Sequence, residues 1–175
     1  SGELLKVRQK LMRDGEVVCE AVSGLFIRAK KKPGETAKKA AVQPTEETRE
    51  FLFENTYSVD TDQSYRYAEA SLDDNPIHVD EGVAKTAGHP GVIMHGLCTM
   101  AMTTRELVNH AADGDPKRLQ RIKVRFSKIV LPSDTLTTRA WNVEQNNGVA
   151  TVGFETLNQN GDKVISHGLA EIRTA

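Results

Sequence analysis

The chain has 175 residues, of which 38% are hydrophobic and 27% charged, and this is the size and composition of one globular domain or slightly more. Its net charge of −1 gives no reason to expect a nucleic acid or a membrane surface as a partner. It contains no apolar run of about 18 residues, the length that a transmembrane helix needs.

The first residues form neither the charged nor the apolar region of a signal peptide. They also lack an initiator Met, so we expect a cut within a longer chain or a cloning remnant. Cys19 and Cys98 fit no metal-binding spacing. We expect two buried thiols in a reducing compartment.

Residues 1–30 predict a β-hairpin, with strands at 4–11 and 17–27 joined by a turn at Asp14-Gly15. A lone hairpin is marginally stable, so this one must add to a larger sheet. Its Gly-acid-strand pattern at Gly15-Glu16 weakly resembles Gly161-Asp162, and in both places a strand ending in Arg follows. We therefore predict that residues 1–30 are strands of a preceding repeat of the same fold.

Residues 31–50 are predicted to be an exposed linker, because they begin with a basic run and contain almost no bulky apolar residue. The alternative for the basic run is contact with nucleotide phosphates. Residues 51–175 are predicted to form the main domain. It opens with an apolar and aromatic stretch at 51–58 and a helical stretch at 60–70, followed by a polar loop at 73–78 and a short helical turn at 79–87.

A long apolar segment at 92–110 predicts a helix that is buried all round. The rest of the chain alternates between apolar and polar residues, which predicts strands at 121–130, 135–143, 149–157 and 164–172. Turns are expected at 132–134, at Asn147-Gly148 and at Asn160-Gly161. The fold class is therefore α+β.

The strongest motif is Asp73-x-Asn75-Pro76-Ile77-His78, which matches by chance roughly once in 10⁵ positions at average residue usage. Gly91-Val92-Ile93-Met94-His95-Gly96 and Pro132-Ser133-Asp134-Thr135-Leu136 follow it. Together they resemble the MaoC-like (R)-specific enoyl-CoA hydratases, the hydratase-2 family, over about residues 55–173. Leu72 and Ser133 stand where this family usually has Gly.

The resemblance implies a hot-dog fold, in which a curved antiparallel sheet wraps round one central helix. It also implies (R)-specific hydration of trans-2-enoyl thioesters, or the reverse dehydration, with Asp73 and His78 as the acid/base pair. Asn75 would orient the water or the loop, and the backbone N–H of Gly96 would stabilise the enolate-like oxygen. Which member of the pair takes the first proton stays open.

Four residues are predicted to bind substrate: Ile77, His95, Lys123 and Arg125. For His95 the alternative is packing or hydrogen bonding near the helix start, and for Lys123 and Arg125 it is a solvated strand face rather than contact with the phosphates of coenzyme A. No metal or cofactor is expected, because the histidines lack metal-ligand spacing. The expected substrate is an acyl-CoA or acyl-carrier-protein thioester.

We expect pairing of hot dogs in a homodimer or in tandem, and an intracellular location, cytoplasmic or peroxisomal. Two other functions stay open. A hot-dog thioesterase would need a carboxylate on the central helix, where the sequence offers Glu106. A non-catalytic acyl-binding or assembly module is consistent with Leu72, and Asp73 would then serve only in a turn or helix cap.

Overall fold

The computed structural model describes residues 2–28 and 49–174, so most of the predicted linker at 31–50 lies outside the described residues. The chain divides into two compact units, Ser1–Thr45 and Glu46–Ala175. The first unit contains the predicted hairpin, formed by β1 (Gly2–Arg13) and β2 (Glu16–Arg28). Its turn uses positive φ at Asp14 (51°) and Gly15 (83°), as the Asp-Gly signal predicts.

The hairpin has one mostly apolar face and one face that mixes charged residues with apolar ones such as Leu4 and Phe26. Because directly opposed residues of antiparallel strands share a face, Leu5 and Leu25 lie on the apolar side. Arg8 lies opposite Val22 on the other side and forms an ion pair of 2.7 Å with Glu20. The apolar face is exposed throughout, and Leu25 is 59% exposed. Cys19 is exposed as well, so the expectation of two buried thiols holds only for Cys98.

The second unit is a five-stranded antiparallel sheet with a helix packed on it. Its strands are β3 (Phe53–Ser58), β4 (Leu119–Phe126), β5 (Thr135–Asn146), β6 (Val149–Asn158) and β7 (Lys163–Arg173), in the order β3-β5-β6-β7-β4. The helices are α1 (Gln63–Ser71), α2 (Glu81–Thr86) and α3 (Gly96–Ala111), with single 3-10 turns at Pro76–His78 and Pro116–Arg118.

The core lies between α3 and the sheet. Leu107 of α3 is fully buried in a cluster with Phe154 of β6 and Ile165 of β7. The predicted turns are present, with positive φ at Asn147, Gly148 and Gly161. A single long helix against an antiparallel sheet is the hot-dog arrangement that the sequence resemblance implied, and this expectation is confirmed. No helix within residues 2–28 and 49–174 is long and apolar enough to cross a membrane.

The central helix differs from its prediction in two ways. It begins at Gly96 rather than Val92, because residues 92–95 are an extended segment whose backbone bonds elsewhere: the N–H of Met94 donates to the oxygen of Val130 at 2.8 Å. The helix is also buried on one side only, since Leu97 is 57% exposed. The apolar run at its start therefore reflects burial of an extended segment, which hydropathy alone does not distinguish from a buried helix.

Candidate active site

The motif loop at 73–78 is held by the end of α1 and by its own side chains. Helix α1 ends at Ser71, and Leu72, which follows it, adopts the left-handed conformation (φ 59°) that turns the chain into the loop. The Oδ1 of Asn75 accepts from the N–H of Ile77 at 3.4 Å and caps the 3-10 turn that Pro76 begins. Asp73 and Asn75 are exposed, and Ile77 and His78 are half-buried.

Both left-handed positions that the family usually gives to Gly are occupied here by other residues. Leu72 has φ 59°, and Ser133, in the turn before β5, has φ 71°. Residues with a Cβ are disfavoured in this conformation, which explains the usual choice of Gly. Leu72 and Ser133 therefore introduce local strain at these two positions.

The imidazole of His78 is fixed by a backbone carbonyl. Its Nδ1 lies 2.8 Å from the oxygen of Ile93, and a carbonyl can only accept, so Nδ1 carries the proton and the neutral ring has its lone pair on Nε2. The hydroxyl of Ser64 donates to the backbone oxygen of His78. Burial lowers the pKa of His78, while its bond to Ile93 and the Asp73 carboxylate act in the opposite direction. The neutral form, a proton acceptor, is favoured.

Gly96 is the first residue of α3 and is exposed. The N–H groups of a first helical turn have no partner within the helix and lie at the positive end of its dipole. A Cβ added at Gly96 would lie 3.5 Å from the ring of Phe126, which is ordinary contact. Packing within the chain therefore does not require Gly here.

The predicted substrate-binding residues lie in different places. The ring of His95 is 1% exposed and its Nε2 is 2.9 Å from the backbone oxygen of Asp73. Lys123 and Arg125 are exposed on β4, at the edge of the sheet, with a bulge between them. The structure thus brings Asp73, His78 and His95 together. It places Lys123 and Arg125 on a separate element, β4, which also carries Phe126, the residue whose ring lies nearest to Gly96.

Sequence reasoning missed the supporting contacts of Ser64 and Ile93, because neither residue type nor spacing marks them.

The carboxylate of Glu106 is about 15 Å further along α3 than Gly96, at the helical rise per residue. It is buried, and its Oε2 accepts from Asn55 at 2.7 Å and its Oε1 from Arg105 at 2.9 Å. Glu106 is thus occupied structurally, which disfavours the thioesterase. Within the described residues, no three His, Cys, Asp or Glu side chains form a metal-binding group.

Fold and site together define a hot dog with a carboxylate and an imidazole beside the start of its central helix. The family model described as "MaoC like domain" matches residues 42–164. The chain belongs to this family.

Similarity to individual proteins agrees with the family assignment. The chain is 38% identical over 112 residues to a probable enoyl-CoA hydratase 2 of Dictyostelium discoideum, covering 63% of this chain and 37% of the relative. It is 36% identical over 135 residues to peroxisomal multifunctional enzyme type 2 of Mus musculus, covering 77% of this chain and 17% of the relative. The chain therefore spans well under half the length of these relatives.

Two solved structures have the same fold. A MaoC-like dehydratase from Phytophthora capsici superposes with a TM-score of 0.81 at 27% identity, covering 99% of this chain and 57% of that one. The R-hydratase PhaJ1 from Pseudomonas aeruginosa superposes with a TM-score of 0.62 at 25% identity, covering 70% of this chain and 78% of that one.

Proposed function

We propose that the chain is a hydro-lyase that adds water to trans-2-enoyl thioesters to give (R)-3-hydroxyacyl thioesters, or catalyses the reverse dehydration. The observation that carries the proposal is the fixed tautomer of His78, which gives Nε2 a lone pair on the same loop as the Asp73 carboxylate. The names of the hydratase relatives support the reaction class and its (R) configuration.

The chemistry follows from these two groups. His78 Nε2 takes a proton from a water that the Asp73 carboxylate orients, and the hydroxide oxygen bonds to C3 of the substrate. The electron pair of the C2–C3 double bond moves toward the thioester and leaves enolate charge on its oxygen. The acid/base pair Asp73 and His78 then returns the proton to C2, so one water is added in total. Asn75 contributes by capping the 3-10 turn that holds His78.

The enolate oxygen needs hydrogen-bond donors that are in place before the reaction. The N–H of Gly96, at the positive end of α3, supplies one. Because Gly96 is exposed and has no Cβ, a thioester can approach its N–H closely. The half-buried Ile77 would contact the acyl part of the substrate.

The test is hydration of crotonyl-CoA, followed by the loss of enoyl absorbance. We expect Asp73→Asn and His78→Gln each to reduce kcat by at least about 10²-fold, the usual contribution of a positioned acid or base. Asp74→Asn is the matched control, because Asp74 is the neighbouring exposed carboxylate. Equal activity in Asp73→Asn and Asp74→Asn would exclude Asp73 from the chemistry.

We propose that coenzyme A, rather than an acyl-carrier protein, carries the acyl group, with its phosphates on Lys123 and Arg125. Exposed cations on an edge strand can bind phosphates by charge and hydrogen bonds. Arg125→Ala should raise KM for crotonyl-CoA and leave KM for crotonyl-pantetheine, which lacks the nucleotide phosphates, unchanged. An equal effect on both substrates would place Arg125 outside phosphate recognition.

We propose that the hairpin at residues 1–30 belongs to a second hot dog, with which the domain at 51–175 pairs. Support comes from its exposed apolar face and from the Phytophthora capsici chain, of which this chain covers only 57%. The proposed occupant of that face, in a solution of this chain alone, is a second copy. Sedimentation should show self-association that Leu25→Lys weakens and Val22→Lys does not, since the two residues are equally exposed on opposite faces. Identical behaviour of the two variants would contradict the proposal.

We propose a peroxisomal rather than a cytoplasmic location. The support is the name of the Mus musculus relative, a peroxisomal enzyme. Co-localisation of the native protein with a peroxisomal marker tests it, and a purely cytosolic signal would contradict it.

A further inference from the structure

The ring of His95 occupies a position that ordinary core packing does not explain. It is 1% exposed, and its Nε2 is 2.9 Å from the backbone oxygen of Asp73, 22 residues earlier in the chain. A carbonyl oxygen can only accept, so Nε2 carries the proton and donates. His95 is the N-cap residue of α3. Its side chain therefore links the start of α3 by a hydrogen bond to the backbone of Asp73, the proposed catalytic residue.

The same ring is stacked on His78. The two ring centroids are 3.9 Å apart with an interplanar angle of 27°, and Tyr67 lies 4.8 Å from the centroid of His95. The ring of His95 therefore supports the imidazole of His78 by packing against one face of it. His78 is fixed from a second direction by its Nδ1 bond to Ile93.

The second nitrogen of His95 has no hydrogen-bond partner. Nδ1 is buried, and no donor or acceptor of residues 2–28 or 49–174 reaches it. A buried polar atom without a partner is destabilising, and stability alone would favour an apolar ring of the same shape at this position. The presence of an imidazole therefore indicates that the hydrogen bond from its other nitrogen, Nε2, which an apolar ring cannot form, is required here.

We propose that His95 is a positioning residue for the reaction, which holds the Asp73 backbone through Nε2–H and supports the ring of His78 by stacking. This inference rests on the proposed function and assigns His95 a role other than contact with substrate. Both members of the acid/base pair then depend on a single side chain that touches neither water nor thioester. A small displacement of such a pair is costly, because proton transfer requires hydrogen-bond distances.

Three substitutions separate the two contacts. His95→Phe keeps the ring and removes the donor, His95→Gln keeps an N–H near the Nε2 position and removes the ring, and His95→Ala removes both. We expect kcat for crotonyl-CoA to fall about 10-fold in each of the first two and about 10²-fold in His95→Ala, the scale of a 1 Å misplacement. KM should stay within about 2-fold, because positioning acts on the transition state. His167→Asn, an exposed histidine on β7, is the control.

A role in stability alone predicts a different result. A structural residue would lower the melting temperature and the amount of active enzyme in all three variants but leave kcat per active site unchanged. A substrate-binding residue would raise KM. Either result would overturn the proposal. Retention of more activity in His95→Gln and His95→Phe than in His95→Ala supports the separate contributions of donor and ring.

A readout without turnover separates this inference from the proposed function. Nitrogen-15 NMR of the histidine rings reports the tautomer, and the structure requires the Nε2–H form for neutral His95 and the Nδ1–H form for neutral His78. In His95→Ala, loss of the stacked ring should loosen the Nδ1–H bond of His78 to Ile93, so the His78 signal should lose its single-tautomer character. An unchanged His78 signal in His95→Ala would refute the positioning role, whether or not the wild type hydrates enoyl thioesters. A changed signal together with an inactive wild type would refute only the proposed reaction.

Discussion

Substitution of Gly96 by Ala should separate catalysis from stability. The added Cβ would lie 3.5 Å from two ring atoms of Phe126 and 3.6 Å from a third, all ordinary van der Waals distances. Gly96 is a helical residue, and Ala is favoured over Gly in a helix by up to about 1 kcal/mol. We therefore expect the free energy of unfolding of Gly96→Ala to equal or slightly exceed that of the wild type.

The activity should change in the opposite direction. A Cβ beside the first N–H groups of α3 keeps the thioester oxygen from approaching them. Loss of one such donor costs about 10²–10³-fold in rate, or about 2.7–4 kcal/mol in the barrier. Because the methyl group displaces the oxygen without removing the N–H, we expect the lower end of this range.

The assay is kcat/KM for crotonyl-CoA beside a urea unfolding curve of the same preparation. Gly91→Ala is the control, since a Cβ at Gly91 would meet no heavy atom within 4 Å. A Gly96→Ala variant that is as stable and as active as the wild type would refute the assignment of the oxygen site to the start of α3. A variant that is inactive because it is unfolded would refute the packing argument instead.

Three further results are expected. Leu72→Gly and Ser133→Gly should each raise the free energy of unfolding by about 0.5–1 kcal/mol, since both residues have positive φ; lower stability in urea unfolding would contradict this. Burial raises the pKa of Glu155, but Lys163 and Arg139 lower it more, so the net pKa lies below 4.5. The stability that Glu155 contributes is therefore present above pH 4.5 and is lost as the pH falls. In Glu155→Gln, the free energy of unfolding should depend less on pH below 4.5. Burial lowers the pKa of His78 below 6.5, so the base form persists to lower pH and the acid limb of kcat/KM should have its midpoint below 6.5; a midpoint above 6.5 would contradict a neutral His78 base.

The sheet was predictable because local chemistry determines it. Asn147, Gly148 and Gly161 adopt the positive φ values that such turns favour, and the strands that flank the two turns alternate in burial or contain a continuous buried run. Leu72 and Ser133 adopt positive φ without any local signal in their residue type. Only the resemblance to a family with Gly at these positions marked them.

The predicted start of the central helix, at Val92, was wrong for a physical reason. Ile93 and Met94 are buried in an extended segment whose N–H groups bond to Ile77 and Val130, and residues this distant in sequence leave no periodic signal. The motif residues Asp73 and His78 do share one loop, as their spacing predicted. The contacts of His95 with both were invisible, because they join positions 17 and 22 residues apart through tertiary structure.

The most direct measurement of the central claim is the rate and configuration of the product formed from crotonyl-CoA. The account predicts (R)-3-hydroxybutyryl-CoA from the wild type and from Asp74→Asn, and almost none from Asp73→Asn or His78→Gln. An (S) product, or an (R) product formed at the wild-type rate after either substitution in the pair, would contradict it.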